Sequence, residues 1–220
     1  MENKIMINMF KKLSYKHQIW EVYSDFIELA TLSISNACDR SSKWDIREER
    51  YKNIINKYDD KEKILFPKLL GELIIQLNEQ PSDIMGQIFM ELELGNKYKG
   101  QFFTPYNICE LMAEIIIDDN IRNQIKKKGF VTLNEPCSGG GAMIIAFAEA
   151  MKKRKLNPQK YLKVICQDLD FKSVCMTYLQ LSFLGIPAIV MHMNTLSLEI
   201  FDKFYTPVWI YDGWDFKKEK

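Results

Sequence analysis

The stretch NEPCSGGGA, Asn134 to Ala142, constrains the fold of this chain more than any other. Its three consecutive glycines follow the short apolar run GFVTL and precede the long apolar run MIIAFAEAM, which places a tight turn between a strand and a helix. A strand, glycine loop and helix in that order form the entrance to a nucleotide-type pocket and predict an α/β domain around it.

The loop is selective about what it can hold. It lacks the lysine of a phosphate-binding loop, its glycines are contiguous rather than spaced as GxGxxG, and a carboxylate, Glu135, stands at the strand end just before them. Such a carboxylate repels pyrophosphate and suits a cationic ligand. S-adenosylmethionine carries an ammonium and a sulfonium and no phosphate, and glycines let the backbone approach its methionine part closely. A purely structural glycine turn is the alternative. Downstream, the buried-looking run VICQDLD ends in Asp168, placed to accept hydrogen bonds from both hydroxyls of a ribose. Capping a helix N-terminus is the competing role, and it falls to Asp170. Upstream, in KGQFFTPYNICELM, Thr104 is a helix-cap candidate with Pro105 at the first helical position. The adjacent Phe102 and Phe103 are not a core stripe, and either ring can meet a sulfonium or an adenine.

Around these motifs the chain divides into two regions, 1–95 and 96–220. The first is helical throughout: Ile19, Trp20, Tyr23, Phe26, Ile27 and Ala30 lie at helical spacing, with Asp45 and Ser82 as cap candidates, Pro67 near a helix start and Gly95 as a stop. The second alternates. FVTL, YLKVICQ and PAIVMHM read as strands, separated by the helical TPYNICELMAEIII, GAMIIAFAEAMKK and FKSVCMTYLQLSFLG, which predicts a parallel sheet. The lysine runs 126–128 and 152–155 fall at helix ends, where solvated charge is the default reading and a phosphate-contacting patch the alternative.

Composition excludes more than it selects. With 220 residues, 47% hydrophobic, the chain can bury one full core and a smaller second one. No signal-peptide pattern and no bilayer-length apolar run is present, so the expected location is cytoplasmic, without membrane attachment. The five cysteines form no CxxC pair and the two histidines are far from them, so no metal site is expected and the thiols read as buried and free. A net charge of +1 removes the strongest compositional argument for nucleic acid.

Taken together, GQFFTP, NEPCSGGGAMII, CQDLD and MNTL resemble, in order and spacing, motifs X, I, II and III of the adenine-N6 DNA methyltransferases, and most of all the modification subunits of type I restriction systems. The resemblance spans residues 85–209. It implies a helical region followed by a truncated Rossmann-like methyltransferase sheet of strand order 3-2-1-4 that holds S-adenosylmethionine. Phe102, Phe103, Thr104 and Pro105 would flank the cofactor, Glu135, Pro136, Gly139, Gly140 and Gly141 would hold its methionine end, and Asp168 its ribose. Asn194 stands where the family has an aspartate facing the adenine amino group.

The family's catalytic tetrad, asparagine or aspartate, two prolines and an aromatic, draws a flipped adenine's amino group out of conjugation and stacks on its ring. Here the corresponding residues are Thr206, Pro207, Val208 and Trp209, so the expected catalytic residues are Thr206, Pro207 and Trp209, with threonine the poorer acceptor. Loss of one such group costs about 10² to 10³ in rate. The alternative makes the stretch an edge strand and turn, with Trp209 and Trp214 covering the core. The chain ends at Lys220, so no target-recognition domain is expected after the tetrad, and the fourth strand would be an edge open to a second copy or a partner subunit. The expected activity is adenine-specific DNA methylation, slow or partner-dependent. A non-catalytic cofactor-binding subunit or antagonist of a restriction or modification complex is the rival, and methylation of something smaller than duplex DNA a third reading.

Overall fold

The computed structural model describes residues 3–94, 103–118 and 120–219; Gly95 and Phe102 lie outside them. Among the described residues the N-terminal part is built from six helices, α1 (Lys4–Leu13), α2 (Ile19–Cys38), α3 (Trp44–Ile55), α4 (Asp60–Lys63), α5 (Leu65–Glu79) and α6 (Ile84–Glu91). The apolar stripe of α2 buries Tyr23, Phe26, Ile27 and Ala30, but Trp20 turns outward beneath the Lys172 ammonium. Two caps differ from the sequence reading. Helix α3 begins a residue before Asp45, which sits in its first turn, and α6 is capped by Asp83 rather than Ser82. Asp83 has the side chain that accepts the Gly86 N–H, at 2.8 Å.

After α7 (Tyr106–Ile116) and α8 (Asn120–Lys128), strands alternate with helices: β1 (Val131–Glu135), α9 (Ala142–Lys153), α10 (Pro158–Tyr161), β2 (Leu162–Asp168), α11 (Phe171–Phe183) and β3 (Ala188–Asn194). These strands pair in parallel, β1 on β2 and β2 on β3, as the alternation predicts. Asp170 caps α11, its carboxylate accepting the Lys172 N–H.

The fourth strand corrects the expected order. Strand β4 (Glu199–Tyr205) pairs antiparallel with β3, giving the order β1-β2-β3-β4 instead of 3-2-1-4. The reason is the length of the link. Only Thr195–Leu198 separate the two strands, enough for a hairpin but far short of the dozen or so residues a parallel crossover requires. Asn194 holds this turn, its side-chain oxygen accepting the N–H groups of Leu196 and Ser197. The chain then closes with α12 (Pro207–Tyr211) and a 3₁₀ turn at Trp214–Phe216.

Among the described residues two large apolar cores form, and α11 faces both. Val174, Tyr178 and Leu181 enter the core between the sheet, α7 and α9, whereas Cys175, Met176 and Leu179 enter the core of the N-terminal helices. Helix α7 buries Cys109 and Ala113 but leaves Ile108, Leu111, Met112 and Ile115 exposed on its outer face. No helix among the described residues is long and apolar enough to cross a membrane.

Candidate functional site

The glycine loop joins β1 to α9 at the carboxyl ends of the parallel strands. Gly139 and Gly141 adopt φ of +55° and +93°, the left-handed region in which a side chain is strained. Gly140 has an ordinary φ but no room: a Cβ there would stand 2.3 Å from the Asp83 carboxylate. All three glycines are therefore required by geometry.

The loop is held on two sides. From β2, the Gln167 carbonyl accepts the Ser138 N–H and the Asp168 carboxylate accepts the Gly139 N–H at 2.9 Å. The other Asp168 oxygen accepts the Asp170 N–H. From α11, Thr177 donates to the Gly139 carbonyl at 2.9 Å and Gln180 to the Gly140 carbonyl at 2.6 Å. Gln180 also donates to Asp83 at 2.9 Å and accepts the Met85 N–H at 3.1 Å, which ties α6 to the loop.

Two carboxylates face the loop. Glu135, partly buried at the end of β1, accepts the Cys137 N–H at 3.2 Å; burial and the neighbouring Asp168 charge push its pKa above the ordinary value. Burial likewise raises that of Asp168, against the two N–H groups it accepts. Among the described residues neither carboxylate has a basic partner. Half-buried like charges without a counter-ion favour a cationic ligand. Beside the loop, a pocket of ≈ 490 Å³ lies between α6 and the start of α7, its walls including Met90, Phe103, Pro105 and Tyr106, with Asp83 at its border. That is the size of a small-ligand site.

The structure brings most of the sequence-predicted binding residues together. Glu135, Pro136, the three glycines and Asp168 share the strand ends, and Phe103 packs against Gly139, where a Cβ would meet its ring at 3.1 Å. Helix α7 starts one residue later than expected, with Pro105 as its N-cap and no side-chain cap from Thr104. Pro136 is exposed and its carbonyl accepts the Thr195 hydroxyl. Asn194, expected to present its oxygen to an adenine, bonds its own turn instead. Cys137 is exposed in the loop, unlike the buried Cys109, Cys166 and Cys175.

Thr206, Pro207 and Trp209 are not brought to this site. Because β4 runs antiparallel, it returns the chain to the opposite end of the sheet, about 20 Å from the glycine loop along a strand of this length. There the fully buried Thr206 accepts the Ala188 N–H and donates to the Ile186 carbonyl, each at 2.9 Å. Trp209 is 1% exposed, stacks on Trp214 and bonds Asp215. Trp209 and Trp214 close a small core with Phe130, in line with the alternative that they cover apolar structure, but residues 207–211 form a helix rather than the edge strand of that alternative. The basic run at 152–155 is also largely paired: Lys152 with Glu149, and Lys153 and Arg154 with Glu114.

Sequence reasoning missed Asp83, Thr177 and Gln180. A signal did exist: Ser173, Thr177 and Gln180 recur at i, i+4 and i+7 in a predominantly apolar helix, and all three are buried.

The N-6 DNA methylase family model matches residues 82–207. No curated protein matches the chain. Among solved structures, the chain is similar to the methyltransferase subunit of a type I restriction-modification system from Streptococcus thermophilus, with 12% sequence identity, 89% of this chain and 58% of that chain covered, and a TM-score of 0.41. The chain thus spans little more than half the length of that subunit.

Proposed function

The chain belongs to the N-6 DNA methylase family, and from that premise we propose that it binds S-adenosylmethionine at the glycine loop and serves adenine methylation of DNA together with a further polypeptide. One observation carries the cofactor reading: Glu135 and Asp168 flank a loop in which a side chain is strained at Gly139 and Gly141 and has no room at Gly140, and neither acid has a basic partner among the described residues. Bound there, S-adenosylmethionine supplies a methyl group activated on a sulfonium.

The residues of the chain fit its parts. Glu135 offers a carboxylate to a cationic group, and the free N–H groups at the start of α9 offer the positive end of a helix dipole to an amino-acid carboxylate. Each oxygen of Asp168 has a lone pair left for a ribose hydroxyl after its backbone bond. Phe103 provides an aromatic wall.

Gripping the target adenine needs an acceptor pair and a stacking ring beside the cofactor, and Thr206, Pro207 and Trp209 stand at the far end of the sheet. This separation supports partner dependence. Strand β4 is an edge strand with Ile200 and Phe201 about half exposed, so the sheet retains a surface for such a partner, although on the side of β3.

Calorimetry with S-adenosylmethionine, followed by labelled methyl transfer to unmethylated DNA, tests the proposal. The expected result is binding by the intact chain, at least tenfold weaker binding by Asp168→Ala, and little label in DNA without a partner. Trp209→Ala should lower stability by about 3–5 kcal/mol, as for a buried aromatic, and leave the affinity unchanged below the melting range. Absence of binding would overturn the cofactor reading. Rapid methylation by the chain alone would overturn the partner requirement.

A further inference from the structure

The glycine loop is shaped from behind. Helix α11 catches two successive loop carbonyls with side chains one turn apart, Thr177 on Gly139 and Gln180 on Gly140. In a planar trans peptide the C=O of one residue and the N–H of the next point in opposite directions. Drawing the Gly139 carbonyl toward α11 therefore turns the Gly140 N–H away from α11. That N–H has no partner among the described residues. The Gly141 N–H, by contrast, is bonded to the Ser138 carbonyl at 2.7 Å.

Gln180 is itself fixed by the N-terminal helices. Its amide nitrogen is shared between the Gly140 carbonyl and Asp83, and its amide oxygen accepts the Met85 N–H. Gln180 is completely buried and Asp83 is 3% exposed, so water cannot substitute for a lost partner. Asp83 also sets the close approach at Gly140. The hydrogen bond between Asp83 and Gln180 spans 97 residues of sequence.

We propose that Asp83, Gln180 and Thr177 are positioning residues for the cofactor: the cap of a helix in the N-terminal region, acting through α11, fixes the glycine loop in the conformation that presents the Gly140 N–H to the ligand. The N-terminal helices are then part of the binding site although none of the motifs lies on them. This inference rests on the cofactor reading above, and its test separates the two.

The variants are Gln180→Met, which keeps volume and removes the amide, Thr177→Val, which removes only the hydroxyl, and Asp83→Asn, which keeps the acceptor oxygen. Each is titrated with S-adenosylmethionine well below its melting temperature, and amide hydrogen exchange of residues 138–141 is followed without ligand. The expected outcome is about a tenfold loss of affinity and at least tenfold faster loop exchange for Gln180→Met, a smaller loss of both for Thr177→Val, and an affinity within about twofold of the parent for Asp83→Asn. A purely structural role would lower the melting temperature and leave affinity and loop exchange unchanged in folded protein, which would overturn the proposal. Should Gln180→Met fail to fold, unchanged affinity and loop exchange in Thr177→Val overturn it as well. If the parent chain binds no cofactor, the cofactor reading falls, and unaltered loop exchange in the variants removes the positioning role independently.

Discussion

Glu135 and Asp168 carry the charge at the candidate site, and their burial makes it sensitive to pH. Both carboxyls are held above the ordinary range near 4. Only the ionised form attracts a cation, so affinity for S-adenosylmethionine should fall on acidification, beginning above that range. The same shift affects stability with the opposite sign. A carboxyl with a higher pKa folded than unfolded binds protons more readily in the fold, so acidification through that interval favours the folded state as far as these two groups are concerned. Calorimetric titrations from about pH 7.5 down to about pH 4 check this, and an affinity flat across that whole range would exclude the two carboxylates from the site. These residues were legible in the sequence because each ends a strand next to a recognisable loop. Asp83 was not, because its partners Gln180 and Gly140 are distant along the chain and only the packed fold unites them.

Among the elements, the hairpin between β3 and β4 shows how a motif reading goes astray. The first three strands lie where the sequence places them, but the position and direction of the fourth rest on the resemblance, whereas the short Thr195–Leu198 link, visible in the sequence, dictates an antiparallel return. That one reversal carries Trp209 away from the glycine loop. Helix α7 is a second instance, since its sequence reads as an amphipathic helix but cannot reveal which apolar residues stay exposed. Ile115 is 72% exposed and Ala113 fully buried. Ile115→Lys should change stability by no more than about 0.5 kcal/mol, whereas Ala113→Leu should destabilise by about 1–3 kcal/mol through overpacking against α9. Denaturant midpoints measure both, and a large loss for Ile115→Lys would mean that the outer face is covered in solution.

For the whole molecule, the expected division at residue 95 is crossed by packing. Helix α11 contributes side chains to both cores, and the Asp83–Gln180 bond joins them across the boundary. Heating should therefore give one cooperative transition, with equal calorimetric and van't Hoff enthalpies and coincident melting of helix content and tryptophan emission. Two resolved transitions would mean that the two regions unfold separately despite the shared helix. The shared helix also sets an order of events during synthesis. The first six helices leave the ribosome well before α11 exists, and their core stays open until Cys175, Met176 and Leu179 arrive. The glycine loop thus takes its shape only once α11 has been made and has closed on helices completed long before it.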